Sequence, residues 1–202
     1  MTIEIVARPL FPTLVWTTVF EDYKSFNQEM LRLSYWLRQQ DPVGVRKTNE
    51  IGWQSKNNIQ EIAEFKPICD RILAVARTIA ESQKYHPELG FELEAWVNVS
   101  DPGASNAVHI HPNCHLSGVY YIQIPTNCGS IYFRDPRLMS LMTPPAITEE
   151  TVFTANETRM LPEEGRMYVF PSWLEHGVEV NRSDQDRVSI SFNVHIAPPA
   201  KG

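Results

Sequence analysis

Cysteine is scarce in this chain of 202 residues, which contains only Cys69, Cys114 and Cys128, and no two of them are spaced as C-x-x-C. An odd, scattered set gives no sign of a disulfide framework or of a thiolate zinc site. Cys114 stands among histidines, but a cysteine nucleophile needs an activating base and a lowered pKa. We therefore expect reduced thiols without a catalytic role.

Positive charge is also in short supply, since 18 lysines and arginines face 24 acidic residues and the net charge is −6. This balance leaves no basic footprint for nucleic acid and no polybasic segment for a membrane surface. No apolar run reaches about 18 residues, and the start, "MTIEIVARPLFPTLVW", does not look like a signal peptide. We expect a soluble, cytoplasmic protein whose partner is a small molecule or another protein.

Two amphipathic helices are predicted in the first half of the chain. Between about residues 22 and 40, Phe26, Met30, Leu33 and Leu37 recur with helical spacing. A second stripe of isoleucines and valine follows Pro67, a residue suited to a first helical turn, and continues to about residue 83.

From about residue 91 the pattern changes to short alternating or wholly apolar runs that are separated by turn residues. The runs are "FELEAWVNVS", "SGVYYIQIP", "GSIYF", "GRMYVFP", "HGVEV" and "RVSISFNVHI". Such regular short strands predict a β barrel or sandwich. The segment from about 137 to 150 has no clear period, so we expect an irregular loop over a site. The fold class is mainly β (α+β), with N-terminal helices packed on the strands.

Half of the six histidines lie in the short stretch "VHIHPNCHL". If this stretch is extended, His109 and His111 point to the same side, because side chains alternate along a strand. Two imidazoles on one face can bind a single ion, although H-x-H alone is also compatible with ordinary surface or core histidines. His176, at the start of a later strand, supplies a third candidate ligand.

The last strand, "DRVSISFNVHI", alternates without a break. One face carries Val188, Ile190, Phe192 and Val194, whereas the other carries Arg187, Ser189, Ser191, Asn193 and His195. A polar face either meets water or lines a pocket. Arginine and serine together can grip a carboxylate, which favours the pocket.

Taken together, these motifs resemble the Fe(II)- and 2-oxoglutarate-dependent oxygenases, and within them a subgroup with an H-x-H-P-N-x-x-x-S-G-V-Y-Y core. "VHIH", "EHGV" and "DRVS" follow the order and spacing of that superfamily over about residues 92 to 196. The resemblance implies a double-stranded β-helix, of the jelly-roll or cupin-like kind, over residues 91–197. Residues 1–90 would then supply an N-terminal strand and two supporting helices to a single domain that spans residues 1–202.

The resemblance also implies roles for individual residues. His109 and His176 become iron ligands, Arg187 and Ser189 bind the distal carboxylate of 2-oxoglutarate, and Tyr121 and Asn98 support it. His111 stands where the family usually has a carboxylate. We predict His111 as the third ligand, with water, Asp135 or Glu175 as the alternatives. The expected reaction hydroxylates a small-molecule or protein substrate and releases succinate and CO2.

Two other functions remain open on the sequence alone. One is a three-histidine cupin-type dioxygenase that uses no 2-oxoglutarate, which would leave Arg187 and Ser189 without a task. The other is a non-catalytic metal- or ligand-binding β-helix protein in which a closed site holds Zn²⁺. A homodimer is a further prediction, because the strand around "TLVWTTVF" could pair with its own sheet or with a neighbour's.

Overall fold

The protein was analysed as a computed structural model, which describes residues 3–137 and 145–198. The described residues form two α-helices, α1 (Tyr23–Gln40) and α2 (Lys66–Ser82). They also form eleven strands: β1 (Trp16–Val19), β2 (Asn49–Glu50), β3 (Trp53–Gln54), β4 (Gly90–Ser100), β5 (Ser105–His109), β6 (Leu116–Gln123), β7 (Ile131–Arg134), β8 (Glu157–Met160), β9 (Arg166–Pro171), β10 (His176–Val178) and β11 (Arg187–Ala197).

These strands form two antiparallel sheets, as expected for the double-stranded β-helix. Among the described residues, the major sheet has the order β1-β9-β6-β11-β4-β3 and the minor sheet the order β2-β5-β10-β7-β8. Strands that are distant in sequence are therefore neighbours, and β11 pairs with both β4 and β6 along most of its length. The predicted N-terminal strand pairs with β9 of its own chain. The homodimer stays a prediction.

Both predicted helices pack on the outer face of the major sheet. In α1, Met30 and Leu33 are buried, and in α2, Ile68, Ile72 and Ile79 are buried, all in one core with the outward-facing apolar residues of β4, β6 and β11. The apolar stripes identified in the sequence are thus the helix faces that become buried on folding.

Only one face of β11 contributes side chains to this core. Val188, Ile190, Phe192 and Val194 are at most 1% exposed, and they pack under the helices. Because side chains alternate along a strand, the opposite side of β11 faces the minor sheet. A smaller apolar cluster includes Ile131, Phe133 and Phe170, of which Ile131 and Phe170 line the cavity between the sheets.

The irregular loop predicted for residues 137 to 150 falls in part on residues 138–144, which lie outside the described residues. In the part of the chain that the structure describes, no helix combines the length and the apolar character needed to cross a membrane.

Candidate active site

A cavity of about 480 Å³ opens between the two sheets. Its walls include all seven residues predicted for the site: Asn98, His109, His111, Tyr121, His176, Arg187 and Ser189. The tertiary structure thus brings together side chains from β4, β5, β6, β10 and β11 that are up to about ninety residues apart in sequence.

Three histidines converge at one part of this cavity. His176 at the start of β10 is the register partner of His109 at the end of β5. His111 lies two residues beyond β5, where its backbone N–H donates to Ser172 O at 2.9 Å. One nitrogen from each imidazole lies within 4.8 Å of the other two. The parity argument from the sequence gave the correct side for both residues of the H-x-H motif, even though the strand ends between them.

Hydrogen bonds fix the tautomers of two of these histidines. His109 Nδ1 lies 2.7 Å from Ala107 O, and His176 Nδ1 lies 2.8 Å from Leu174 O. A carbonyl oxygen only accepts, so each Nδ1 must carry the proton and donate it. The Nε2 lone pair of each ring is then left free for a metal, which is the usual arrangement for histidine ligands.

Burial keeps the three imidazoles neutral. It is the main cause that lowers the pKa of His111 to about 4 and that of His176 to about 3, and it also lowers the pKa of His109. The positive charge of any protonated neighbour lowers the pKa of His111 and His176 further. Neutral imidazoles are the form that binds metal, so protons compete weakly for this site near neutral pH.

The donor set fits a divalent first-row metal, because imidazole binds Fe, Zn, Cu and Ni alike. Neither acid proposed as an alternative third ligand lines the described part of the cavity. Asp135 forms an ion pair with Arg137, and Glu175 is exposed. Of the described residues, only the three histidines form a cluster that could hold a metal ion.

Arg187 lies at another part of the cavity and is 2% exposed. Its Nη1 donates to the backbone oxygens of Cys128 and Glu179. Burial lowers the pKa of its guanidinium, and no carboxylate among the described residues forms an ion pair with it. A buried cation without an anion is costly, so this position calls for an anionic ligand.

Polar side chains from neighbouring strands line the same cavity as Arg187. Ser189 is the register partner of Asn98 on β4 and of Tyr121 on β6, so the three side chains form one row across the major sheet. Asn98 Nδ2 donates to Ser191 Oγ at 2.9 Å, and burial raises the pKa of Tyr121, which keeps its hydroxyl protonated. Hydroxyl and amide donors beside a buried arginine suit a carboxylate.

Four of the five polar positions of β11 line the cavity, whereas His195 is exposed. His195 and His115 lie with ring centroids 5.1 Å apart, outside the cavity lining. His86 is also exposed. Arg134 pairs with Glu157 at the surface of the minor sheet. These four residues lie outside the described lining of the cavity.

Other residues of the site had no signal in the sequence. The ring of Phe170 lies 4.6 Å from that of His176, and Lys47, Gln54 and Glu94 line the cavity. They belong to strands or turns whose local pattern is that of ordinary core or surface residues. Only the pairing of β9, β3 and β4 into the sheets, which no local pattern specifies, brings them to the cavity.

Comparison with known proteins agrees with this geometry. Residues 94–193 match the sequence profile of a family described as "Putative 2OG-Fe(II) oxygenase". No curated protein matches the chain in sequence.

Solved structures share its fold at low sequence identity. A prolyl-4-hydroxylase from Pseudomonas putida is 14% identical, with a TM-score of 0.64 over 91% of this chain and 92% of that chain. The α-ketoglutarate-dependent epimerase SnoN from nogalamycin biosynthesis is 13% identical, with a TM-score of 0.67 over 94% and 81%. HygX from Streptomyces hygroscopicus, solved with nickel and 2-oxoglutarate bound, is 13% identical, with a TM-score of 0.57 over 91% and 83%.

The matched residues begin on β4 and end on β11, and they include both the three-histidine cluster and Arg187. Residues 94–193 therefore carry the sequence profile of the 2OG-Fe(II) oxygenase family, whose members are iron(II)- and 2-oxoglutarate-dependent oxidoreductases.

Proposed function

We propose that His109, His111 and His176 hold the iron(II), and that Arg187 and Ser189 bind the distal carboxylate of 2-oxoglutarate. The observation that carries this assignment is the buried Arg187, which has no carboxylate partner among the described residues. Tyr121 and Asn98 extend the same row and support the carboxylate. A cosubstrate with a carboxylate at each end can be held by this cation at one end while the other end reaches the histidines.

Each residue has a defined task in this proposal. The Nδ1 protons of His109 and His176 stay on backbone carbonyls, so both rings are oriented before metal binds. Nη1 of Arg187 is held by two backbone carbonyls, which leaves the rest of the guanidinium fork to the ligand. The apolar cluster around Phe170 limits water on the side of His176.

Bound at the histidines, iron(II) supplies the activation of O2, through which a substrate C–H bond becomes C–OH while 2-oxoglutarate becomes succinate and CO2. The protein positions the reactants, and no side-chain acid or base is required.

The substrate is a small molecule or a segment of another protein. The net charge of −6 does not favour nucleic acid. We also propose a cytoplasmic location, because the three cysteines are free thiols.

The burial of Arg187 also favours the proposed function over the two alternative functions. A three-histidine dioxygenase without 2-oxoglutarate, or a closed zinc site, would bury this cation with nothing to bind. Both alternatives therefore leave unexplained a costly feature of the cavity.

An anaerobic absorption titration tests the proposal. Metal-free protein receives Fe(II) and then 2-oxoglutarate, and we expect a visible charge-transfer band that requires both. Arg187→Ala should raise the 2-oxoglutarate concentration needed by roughly 10-fold to 100-fold, because a charged hydrogen-bonding partner contributes about 1.5 to 3 kcal/mol. The matched control is Arg182→Ala, which removes an exposed arginine from the preceding loop. Iron binding without the band, or an equal effect of both variants, would refute the 2-oxoglutarate site.

A further inference from the structure

The mouth of the cavity carries a lysine on the minor-sheet side. Lys47 precedes β2, and the neighbouring Thr48 O accepts a hydrogen bond of 2.9 Å from Ala107 N on β5. This contact places Lys47 beside the strand that leads to His109 and His111, where it lines the cavity. Its charge is one cause of the lowered pKa of His111, after burial and His109. Lys47, which is exposed, therefore lines the same cavity as the three-histidine cluster.

A glutamate lies on the major-sheet side of the same mouth. Glu94 lies on the same face of β4 as Trp96 and Asn98, and all three line the cavity. Its carboxylate raises the pKa of the Cys114 thiol, although burial is the larger cause. Lys47, next to a strand of the minor sheet, and Glu94, on a strand of the major sheet, thus line the same cavity.

Neither charge is neutralised within the described residues. Lys47 and Glu94 do not pair with each other, and no other described residue forms an ion pair with either. The remaining charged residue in the described cavity lining, apart from the histidines, is Arg187, which we have assigned to 2-oxoglutarate. Besides Arg187, the described cavity lining therefore offers a ligand one exposed cation and one exposed anion.

An aromatic surface adjoins these charges. Trp96 is 7% exposed, and its ring centroid lies 5.9 Å from that of His111. An indole wall suits the apolar part of a small molecule, whereas two isolated opposite charges suit an ammonium group and a carboxylate.

We propose that the outer part of this cavity binds a zwitterionic substrate of the free amino acid class, with Lys47 contacting its carboxylate, Glu94 its ammonium group and Trp96 its carbon chain. The proposal rests on the proposed function, because the histidines mark where the reacting C–H bond must lie. It adds a substrate class and makes Lys47 and Glu94 the residues that determine specificity.

Calorimetry on the protein loaded with Fe(II) and 2-oxoglutarate under anaerobic conditions tests this substrate class. The probes are the common free L-amino acids, followed by the N-acetyl derivative and the carboxamide of whichever binds most tightly. The N-acetyl derivative lacks the positive charge, and the carboxamide lacks the negative charge. We expect each modification to weaken binding by up to about fivefold, since a single solvent-accessible charge pair contributes up to about 1 kcal/mol.

Two variants assign the charges to their residues. In Lys47→Ala the carboxamide should bind as well as the parent amino acid, while N-acetylation still weakens binding. Glu94→Ala should show the reverse pattern. The control variants Lys56→Ala and Glu92→Ala remove exposed charges outside the described cavity lining. In both controls, N-acetylation and carboxamide formation should each still weaken binding. Glu92 is a close match, because it lies two residues before Glu94 on the same strand.

Three results would overturn the proposal: no amino acid binds, the modified derivatives bind as tightly as the parent, or each variant loses affinity for all probes alike. A 2-oxoglutarate titration of the same samples separates this failure from that of the proposed function. A normal charge-transfer band without amino acid binding refutes the substrate class alone. A missing band refutes the 2-oxoglutarate site, and the calorimetry still reports whether the mouth binds zwitterions.

Discussion

At the scale of single residues, His111 is the unusual member of the site. Three neutral imidazoles leave the full charge of a divalent metal uncompensated, whereas a carboxylate in the place of His111 would cancel one unit of it. With a metal bound at the three histidines as proposed, the cavity would hold two positive centres, the metal and Arg187, and both would favour an anionic cosubstrate. We therefore expect this chain to bind 2-oxoglutarate more tightly with His111 than with a carboxylate at this position.

The variant His111→Asp tests this electrostatic argument. With saturating Fe(II), we expect the dissociation constant for 2-oxoglutarate to rise about fivefold, because two unit charges about 4 Å apart interact by about 1 kcal/mol even in water. His111→Asn is the matched control, since it has the same shape as aspartate without the charge. The absorption titration reports both constants. If the two variants bind 2-oxoglutarate equally, the charge of the third ligand has no such effect.

The buried histidines also predict how the metal-free protein responds to acid. The folded-state pKa values of about 4 for His111 and about 3 for His176 lie below the ordinary value of 6.5. Below about pH 6.5 the unfolded chain therefore binds protons that the folded chain does not, and the free energy of unfolding falls as the pH decreases. Above that pH these two groups contribute no pH dependence.

Urea unfolding of the metal-free protein between about pH 7.5 and about pH 5 measures this effect. We expect a loss of up to about 1.4 kcal/mol per pH unit for each histidine that stays neutral. The window ends near pH 5 because carboxyl groups with lowered pKa values, such as those of Asp22 and Glu179, contribute below it. His176→Asn should flatten the slope, whereas His86→Asn, at an exposed position, should leave it unchanged. An unchanged slope in both would contradict the pKa argument.

At the scale of elements, α1 is tied to the back of the site by one buried side chain. Asn27 Nδ2 donates to Ile122 O at 2.8 Å and to Tyr121 O at 3.3 Å, and Asn27 Oδ1 accepts from the Tyr120 hydroxyl at 2.6 Å. β6 therefore receives hydrogen bonds from the helix on one face while Tyr121 lines the cavity on the other. This junction, the set of hydrogen bonds made by Asn27, explains why a polar residue lies in the apolar stripe of α1.

Removal of the junction should destabilise the fold. We expect Asn27→Ala to lower the free energy of unfolding by about 1 to 3 kcal/mol, because it leaves the fully buried hydroxyl of Tyr120 without its acceptor. Urea denaturation measures the loss. Gln28→Ala, at the exposed neighbouring position, should change stability by less than about 0.5 kcal/mol. Equal stability of both variants would show that the helix does not depend on this contact.

At the scale of the whole molecule, ligands should hold the two sheets together. The histidines His109 and His176 belong to the minor sheet, whereas Arg187 and Ser189 belong to the major sheet. A metal and 2-oxoglutarate bound to both would link the sheets across the cavity. Folding and binding are then coupled, because the unfolded chain has neither site.

Thermal unfolding with Ni(II), which is redox-inert here, tests this coupling. We expect 2-oxoglutarate at about 100 times its dissociation constant to add about 2.7 kcal/mol of stability to the metal-loaded protein. In Arg187→Ala the increment from the metal should remain and that from 2-oxoglutarate should largely disappear. Removal of the metal with a chelator should cancel both increments in the unmodified protein. Stabilisation by 2-oxoglutarate that survives the loss of Arg187 would contradict the assigned binding mode.

The sequence by itself determined the features that depend on local periodicity. The two apolar stripes predicted α1 and α2 to within a residue or so, and the unbroken alternation of β11 separated its core face from the polar face that carries Arg187 and Ser189. The spacing of His109 and His111 placed both on one side of the chain. These properties follow from the geometry of a helix or a strand, so neighbouring residues suffice to reveal them.

Only the tertiary structure determined which polar side chains lie together in the cavity. It placed His195 in the solvent while the other polar residues of its face line the cavity, and it brought Phe170, Lys47 and Glu94 into the same cavity lining. These outcomes depend on which strands pair and in which register, for example His176 opposite His109. Strand pairing joins segments that are far apart in sequence, and it is determined by the burial of the whole core rather than by any local pattern.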